Sequence, residues 1–305
     1  MNINNIHDKY IKTVLSDINI AKKFLSSFLP AEVLQFIDLE TLQYAETDFV
    51  LRDLKEIFSD MVFTVSKKDD SEVYISIVLE HKSQPDDFTA VQLLLYVAYG
   101  YYKQYKNTGS LKLILPVVFY HGKQKWIFKS VEELIEDLPP ELKVYVPIFK
   151  TVFIDLAKFS DEELNAFGDS LLTAILLLGK YIFRPADLEK KIKLIFEKLN
   201  SASNRNLIYP TIVYTLRNIE VNVLLKIIDN LPSPLKSDIM TAYDTLIKQG
   251  MEKGMEKGME KGRQEVLTKA VTKLYKRQFD IAQIADIMEV PIEKVKDILK
   301  ENGLI

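Results

Sequence analysis

Asp60, Glu80 and Lys82 are the residues of this 305-residue chain whose types and spacing best suit joint chemistry. Ser59-Asp60 stands where one apolar segment, 61–65, begins, and Glu80-His81-Lys82 stands where a second, 73–79, ends. Both segments are rich in β-branched and apolar residues. The polar Lys67-Lys68-Asp69-Asp70-Ser71 between them completes the pattern of a β-hairpin. In such a hairpin the start of one strand lies beside the end of its partner, which brings Asp60 toward Glu80 and Lys82. Side chains alternate across a strand, so Glu80 and Lys82 share a face while His81 points to the other. Two carboxylates offer hard oxygen ligands to Mg²⁺ or another divalent cation, which polarises a phosphate and lowers the pKa of a bound water. A neighbouring lysine can orient or deprotonate that water and stabilise the developing negative charge. The chemistry expected of the trio is phosphodiester hydrolysis. Because so short a pattern recurs by chance, the flanking sequence matters.

Two features on the C-terminal side point the same way. Gln92 and Tyr96 sit four residues apart in a segment, 90–105, whose spacing predicts a helix, so both fall on one face. Burial explains the leucines around them but not a glutamine sharing their helix. From 88 to 131 there is no Asp or Glu, while Lys103, Lys106, Lys112, Lys123, Lys125 and Lys129 all fall there. Tyr99, Tyr101, Tyr102, Tyr105, Tyr120 and Trp126 are interleaved with them. In a chain of net charge -3 this is a local cationic stretch, and lysine beside aromatic residues is the chemistry of phosphate contact and base stacking. The tyrosines near Lys103 and Lys106 are expected at the surface and the others in the core. Nucleic acid is the partner this implies.

Other chemistries find less support. The chain has no cysteine, which removes thiolate metal sites, disulfides and a cysteine nucleophile and fits a reducing cytoplasm. Its three histidines, His7, His81 and His121, match no zinc spacing. His81 is expected to pack on the far side of the sheet and His121-Gly122 to close a strand. Neither a Gly-rich phosphate loop nor a G-x-S-x-G elbow is present. The N-terminus lacks the basic start and apolar run of a secretory signal. The most apolar run, 171–178, is far short of the ~20 residues of a membrane span and reads as a buried helix. A cytoplasmic protein with no membrane partner is expected.

The elements that must position these residues fall into four regions. Residues 1–158 mix helices and strands: a helix over 9–29 ended by Pro30, the hairpin, the helix over 90–105, a strand over 111–120 and a short one over 151–154. Residues 159–248 read as all-helical, opening on the Ser160 to Glu163 capping pattern. Breaks are expected there at Arg184-Pro185, at 200–206, at Pro210 and at Pro232-Ser233-Pro234. Residues 249–262 carry the repeat Gly250-Met251-Glu252-Lys253, renewed from Gly254 and Gly258 and closing at Gly262. Each glycine costs a helix up to ~1 kcal/mol against alanine, so the segment is expected to be a marginal helix or a pliable linker. Residues 263–305 outline a small helix-turn-helix-like unit, with helices over 281–288 and 292–300 about a Glu289-Val290-Pro291 corner. Its last helix balances Lys294, Lys296 and Lys300 against Glu293, Asp297 and Glu301. A packing or oligomerisation unit is therefore expected before a groove-reading one.

Taken together, His7-Asp8, Ser59-Asp60, Glu80-His81-Lys82-Ser83, Gln92-x-x-x-Tyr96 and Pro116-Val117-Val118-Phe119-Tyr120-His121-Gly122 resemble the Rpn family of recombination-promoting nucleases, also labelled transposases. The repeat and the C-terminal helices look like that family's tail, so the resemblance spans nearly the whole chain. It implies a PD-(D/E)XK, restriction-endonuclease-like α/β core, a mixed sheet flanked by helices, followed by an all-helical C-terminal region. It implies that Asp60 and Glu80 bind the metal, with the His81 backbone carbonyl as a further ligand and Lys82 as the motif lysine. Gln92 and Tyr96 would support the site and touch DNA. Serine precedes Asp60 where the superfamily name has proline, and Asp8 is a candidate for the acid that some relatives place on the first helix. The implied activity is Mg²⁺-dependent DNA endonucleolysis in recombination, mobile-element or defence biology. A non-catalytic DNA-binding or assembly protein on the same fold, a ribonuclease, and self-association through the C-terminal helices stay open.

Overall fold

The computed structural model describes residues 4–44, 61–68, 75–228 and 231–305, with backbone only at 4, 5, 75–80 and 227. Asp60 and the side chain of Glu80 therefore lie outside the described residues. The chain divides into two units, Met1–Met240 and Thr241–Ile305. The first unit opens with α1 (Asn4–Leu15), α2 (Ile18–Phe28) and α3 (Ala31–Leu34), then β1 (Ile37–Tyr44), β2 (Met61–Lys67) and β3 (Ile75–Lys82). It continues through α4 (Phe88–Thr108), β4 (Ile114–Tyr120), α5 (Val131–Leu134) and β5 (Val152–Asp155). Five helices come next, α6 (Asp161–Ala166), α7 (Ser170–Tyr181), α8 (Pro185–Asn200), α9 (Ile208–Leu216) and α10 (Val221–Ile228).

The five strands among the described residues form one mixed sheet in the order β1-β2-β3-β4-β5. β1, β2 and β3 pair antiparallel, whereas β3-β4 and β4-β5 pair parallel. A parallel pair needs a crossover, and α4 supplies the one between β3 and β4. Alternation along β4 sorts the two layers. Ile114, Val118 and Tyr120 face α4, where they pack with Leu93, Tyr96, Val97 and Trp126. Phe119 faces the other way, and its ring meets Phe24 of α2 at 5.0 Å. An α/β architecture with helices on both faces is thus present. Residues 171–178 form the buried centre of α7. No helix among the described residues is long and apolar enough to cross a membrane.

The expected single helix over 9–29 is two. Asp17 interrupts it, accepting hydrogen bonds from the amides of Asn19 and Ile20 to start α2 afresh. This is the local competition by which a short acidic side chain breaks a helix and caps the next. Pro210 does not break the chain either. It sits in the first turn of α9, where a missing amide costs no intrahelical hydrogen bond. β1 was absent from the sequence expectations, because an irregularity between Asp38 and Gln43 shifts its register and interrupts the period-two pattern.

The second unit contains most of α11 (Ser233–Lys276), with α12 (Ile281–Ile287) and α13 (Ile292–Glu301). The whole repeat is helical. Three of every four repeat residues, Met, Glu and Lys, are good helix formers, and they outweigh the glycines. Val271, Ile284, Ala285, Val295, Ile298 and Leu299 form the small core joining the three helices. Asp280 caps α12 through a capping box with Gln283.

Candidate active site

The hairpin expected from the sequence is present, with Met61 opposite Leu79 and Val65 opposite Ile75. Asp60 is the covalent neighbour of Met61, and Glu80 that of Leu79. β3 ends on Lys82, which pairs with Tyr120 of β4, and the His121 amide donates to the Lys82 carbonyl at 3.2 Å. The backbone after Lys82 is then pinned by Gly122. A methyl group on Gly122 would overlap the Ser83 carbonyl oxygen and the Tyr120 hydroxyl, so only glycine permits this approach.

Lys82 and His81 are consecutive and part company as strand geometry requires. The Lys82 ammonium lies under the start of α4, where it donates to Asp86 Oδ2 at 3.1 Å and to Gln92 Oε1 at 3.1 Å. Its side chain is 17% exposed, so the ammonium is held in a largely covered position. Gln92 Nε2 in turn donates to the Tyr96 hydroxyl, and Tyr96 is buried. This relay explains the glutamine on a leucine-rich helix: Gln92 bridges a buried tyrosine and a cation. Asp86 is a partner of Lys82 that the sequence pattern alone did not single out. It also accepts from the Phe88 amide at 3.0 Å and so starts α4. The signal for it was an aspartate four residues after the lysine and just ahead of a helix, a position that aspartate favours.

His81 faces the opposite layer and joins the other two histidines. Its ring stacks on His121 at 4.7 Å, and the His7 and His121 rings lie 6.2 Å apart. His121 Nδ1 meets the Gly179 carbonyl at 3.3 Å, which requires the tautomer protonated at Nδ1. His7 Nδ1 and the Tyr214 hydroxyl are 2.6 Å apart. Burial lowers all three histidines. His121 falls to about 4, and His81 falls well below its ordinary value, with His121 and His7 adding to the effect of burial. The rings stack instead of converging, and no group of three or more His, Asp or Glu among the described residues is arranged to hold a metal ion. Asp8 pairs with Lys12 at 2.9 Å and lies 3.9 Å from His81 Nδ1, on the histidine side of the sheet.

α4 also carries the lysine–tyrosine stretch. Lys103 lies over the Tyr99 ring at 5.6 Å and Lys106 over Tyr102 at 5.8 Å. Tyr102 and Tyr105 are 55% and 66% exposed, while Tyr120 and Trp126 are buried in the core. Gln92, Tyr99, Lys103 and Lys106 are spaced i, i+7, i+11 and i+14, which makes one stripe of the helix. At 1.5 Å per residue it runs roughly 20 Å from the Lys82 partner to Lys106.

Several curated proteins are similar to part of this chain. The chain is 29% identical over 161 residues to the inactive recombination-promoting nuclease-like protein RpnE of Escherichia coli K12, covering 52% of this chain and 53% of that protein. It is 27% identical over 163 residues to recombination-promoting nuclease RpnD of Escherichia coli O157:H7, covering 52% and 61%. Against recombination-promoting nuclease RpnA of Escherichia coli K12 the figures are 30% over 118 residues, covering 38% and 40%. The chain thus spans about half the length of the curated relatives it matches. No solved structure matches it. With residues 5–207 matched, well over half of its length, the chain belongs to the family described as "putative transposase, YhgA-like".

Proposed function

We propose that the chain is a divalent-metal-dependent DNA endonuclease with a PD-(D/E)XK core, acting in recombination or mobile-element biology. The observation that carries this reading is the Lys82 ammonium, held 3.1 Å from both Asp86 and Gln92 at the end of the strand that bears Glu80. A solvated strand-end lysine needs no such relay anchored on a buried tyrosine. Asp60 and Glu80 are the proposed metal ligands, with the His81 carbonyl as a third. The fit rests on their chemistry: paired hard carboxylate oxygens are what Mg²⁺ selects. When bound, Mg²⁺ supplies Lewis-acid polarisation of the phosphate and a bound water of lowered pKa. Lys82 then orients the attacking water and faces the charge that develops on the phosphate. The relay through Gln92 and Tyr96 fixes where that ammonium sits. The stripe of α4 ending in Lys103 and Lys106 is proposed to follow the DNA backbone away from the cut.

One finding favours a second reading, a DNA-binding protein that does not cut: a relative of 29% identity is named inactive. Incubating supercoiled plasmid and a long RNA with the full chain, with Mg²⁺ and with EDTA, separates these readings. The endonuclease reading expects nicked and linear DNA only with Mg²⁺, and a loss of roughly 10²–10³-fold in Lys82→Ala. DNA binding without cleavage would favour the second reading. Cleavage of RNA alone would make the protein a ribonuclease. Equal cutting by wild type and Lys82→Ala would remove Lys82 from the chemistry.

A further inference from the structure

The last fourteen residues before Asp280, 266–279, contain no acid and four cations, Lys269, Lys273, Lys276 and Arg277. They occupy the end of α11 and the residue after it. Val271 belongs to the small core of the second unit, with Leu267, Leu274 and Tyr275 packed against it, and this fixes which side of the helix faces out. All four cations are exposed, and among the described residues none is paired with a carboxylate. The contrast with α13 is direct, since there Lys296 is tied to Glu293 at 2.9 Å. The balanced charge of α13 argues against nucleic acid at that helix, but the unbalanced charge of this unit lies on a different one.

The four cations line one shallow groove of about 470 Å³, together with Asn302. Thr268 and Thr272 stand beside the first two of them in the lining. The spacing i, i+4, i+7, i+8 sets the charges in a row with steps of about 6 Å or less along the helix. Lysine, arginine and threonine are the donors that contact phosphate oxygens in nucleic-acid complexes. A row of single charges suits a polymer that offers single charges in a row, whereas a compact anion would engage only one end of it. A membrane surface fits less well, because the lining includes none of the apolar side chains that an interfacial helix inserts.

We propose that this groove is a second nucleic-acid contact, binding the phosphodiester backbone without reading sequence. It lies within the C-terminal unit and does not depend on whether the chain cuts. The test is fluorescence anisotropy of a labelled duplex with the full chain in EDTA, across a salt series. Wild type is compared with Lys269→Gln/Lys273→Gln/Lys276→Gln and with the matching triple arginine variant. The glutamine variant should bind more weakly and lose about 2.7 from the slope of log affinity against log salt, at ~0.9 per phosphate contact. The loss should be the same for unrelated duplex sequences, and the arginine variant should bind as wild type does. Unchanged affinity and slope in the glutamine variant would overturn the proposal. So would failure of arginine to restore binding, or displacement of the duplex by polyglutamate of equal charge. Because no hydrolysis is measured, a chain that never cuts DNA still gives a clear answer.

Discussion

Lys82 stands where a strand ends and a helix begins, and its two described partners come from the chain just beyond it. Asp86 sits four residues on and Gln92 ten, so the ammonium is fixed by nearby sequence once α4 has formed. Charge-assisted hydrogen bonds orient an ammonium well, while solvent screening of the 41%-exposed Asp86 keeps the pair's worth to stability within about 1 kcal/mol. Asp86→Asn keeps an acceptor for the Phe88 amide but removes the countercharge, and single-turnover cleavage should slow about tenfold or more. Gln92→Leu keeps the helix and its packing but severs Lys82 from Tyr96, with a comparable loss expected in the same assay. Thermal unfolding of both variants should stay near wild type. A matching collapse in stability would instead mark these residues as structural. Lys82, Gln92 and Tyr96 could be read as neighbours from residue type and spacing, because strand and helix periods say which side chains share a face. Asp86 could not, since its role needs the turn between β3 and α4 to fold it back onto Lys82.

The elements around the site were legible where their patterns were regular and missed where a local device interrupted the pattern. The hairpin, α4 and β4 stand close to where alternation and helical spacing put them. β1 escaped because its register shift breaks the alternation, and α1 and α2 merged because apolar spacing runs on past the Asp17 cap. The block at Tyr120-His121-Gly122 has a reason visible only in three dimensions: it carries the glycine that admits the Ser83 carbonyl. Gly122→Ala should therefore displace the turn after Lys82 and lower cleavage more than it lowers the melting temperature. The repeat offers the opposite case. A methyl group on Gly254 or Gly258 meets nothing within 4 Å. Alanine at both should raise the helical circular-dichroism signal and stabilise α11 by up to ~1 kcal/mol per site. No change on heating would mean that the repeat is not helical in solution.

Across the first unit, the three histidines tie distant segments together: α1 through His7, β3 through His81, and the turn after β4 through His121, which reaches Gly179 of α7. Sequence spacing could not show this cluster, because its members stand 74 and 40 residues apart. All three have lowered pKa values when folded, so the unfolded chain takes up their protons first as pH falls. Stability should be flat above pH 6.5 and drop between about 6.5 and 4, with His121 alone contributing roughly 3 kcal/mol of the loss. Urea unfolding at pH 7.5, 6 and 5 checks the sign, and rising stability toward pH 5 would contradict it. The central claim, however, concerns Asp60 and Glu80. Its most direct test is single-turnover cleavage of a labelled duplex by wild type, Asp60→Asn and Glu80→Gln across a Mg²⁺ titration. These substitutions keep side-chain size and remove only the charge that would hold the metal. The expected result is Mg²⁺-dependent cleavage by wild type and a rate at least about 10²-fold lower in each variant at saturating Mg²⁺. Wild-type rates in both variants, or cleavage by wild type that persists undiminished in EDTA, would contradict the metal site proposed at the end of this hairpin.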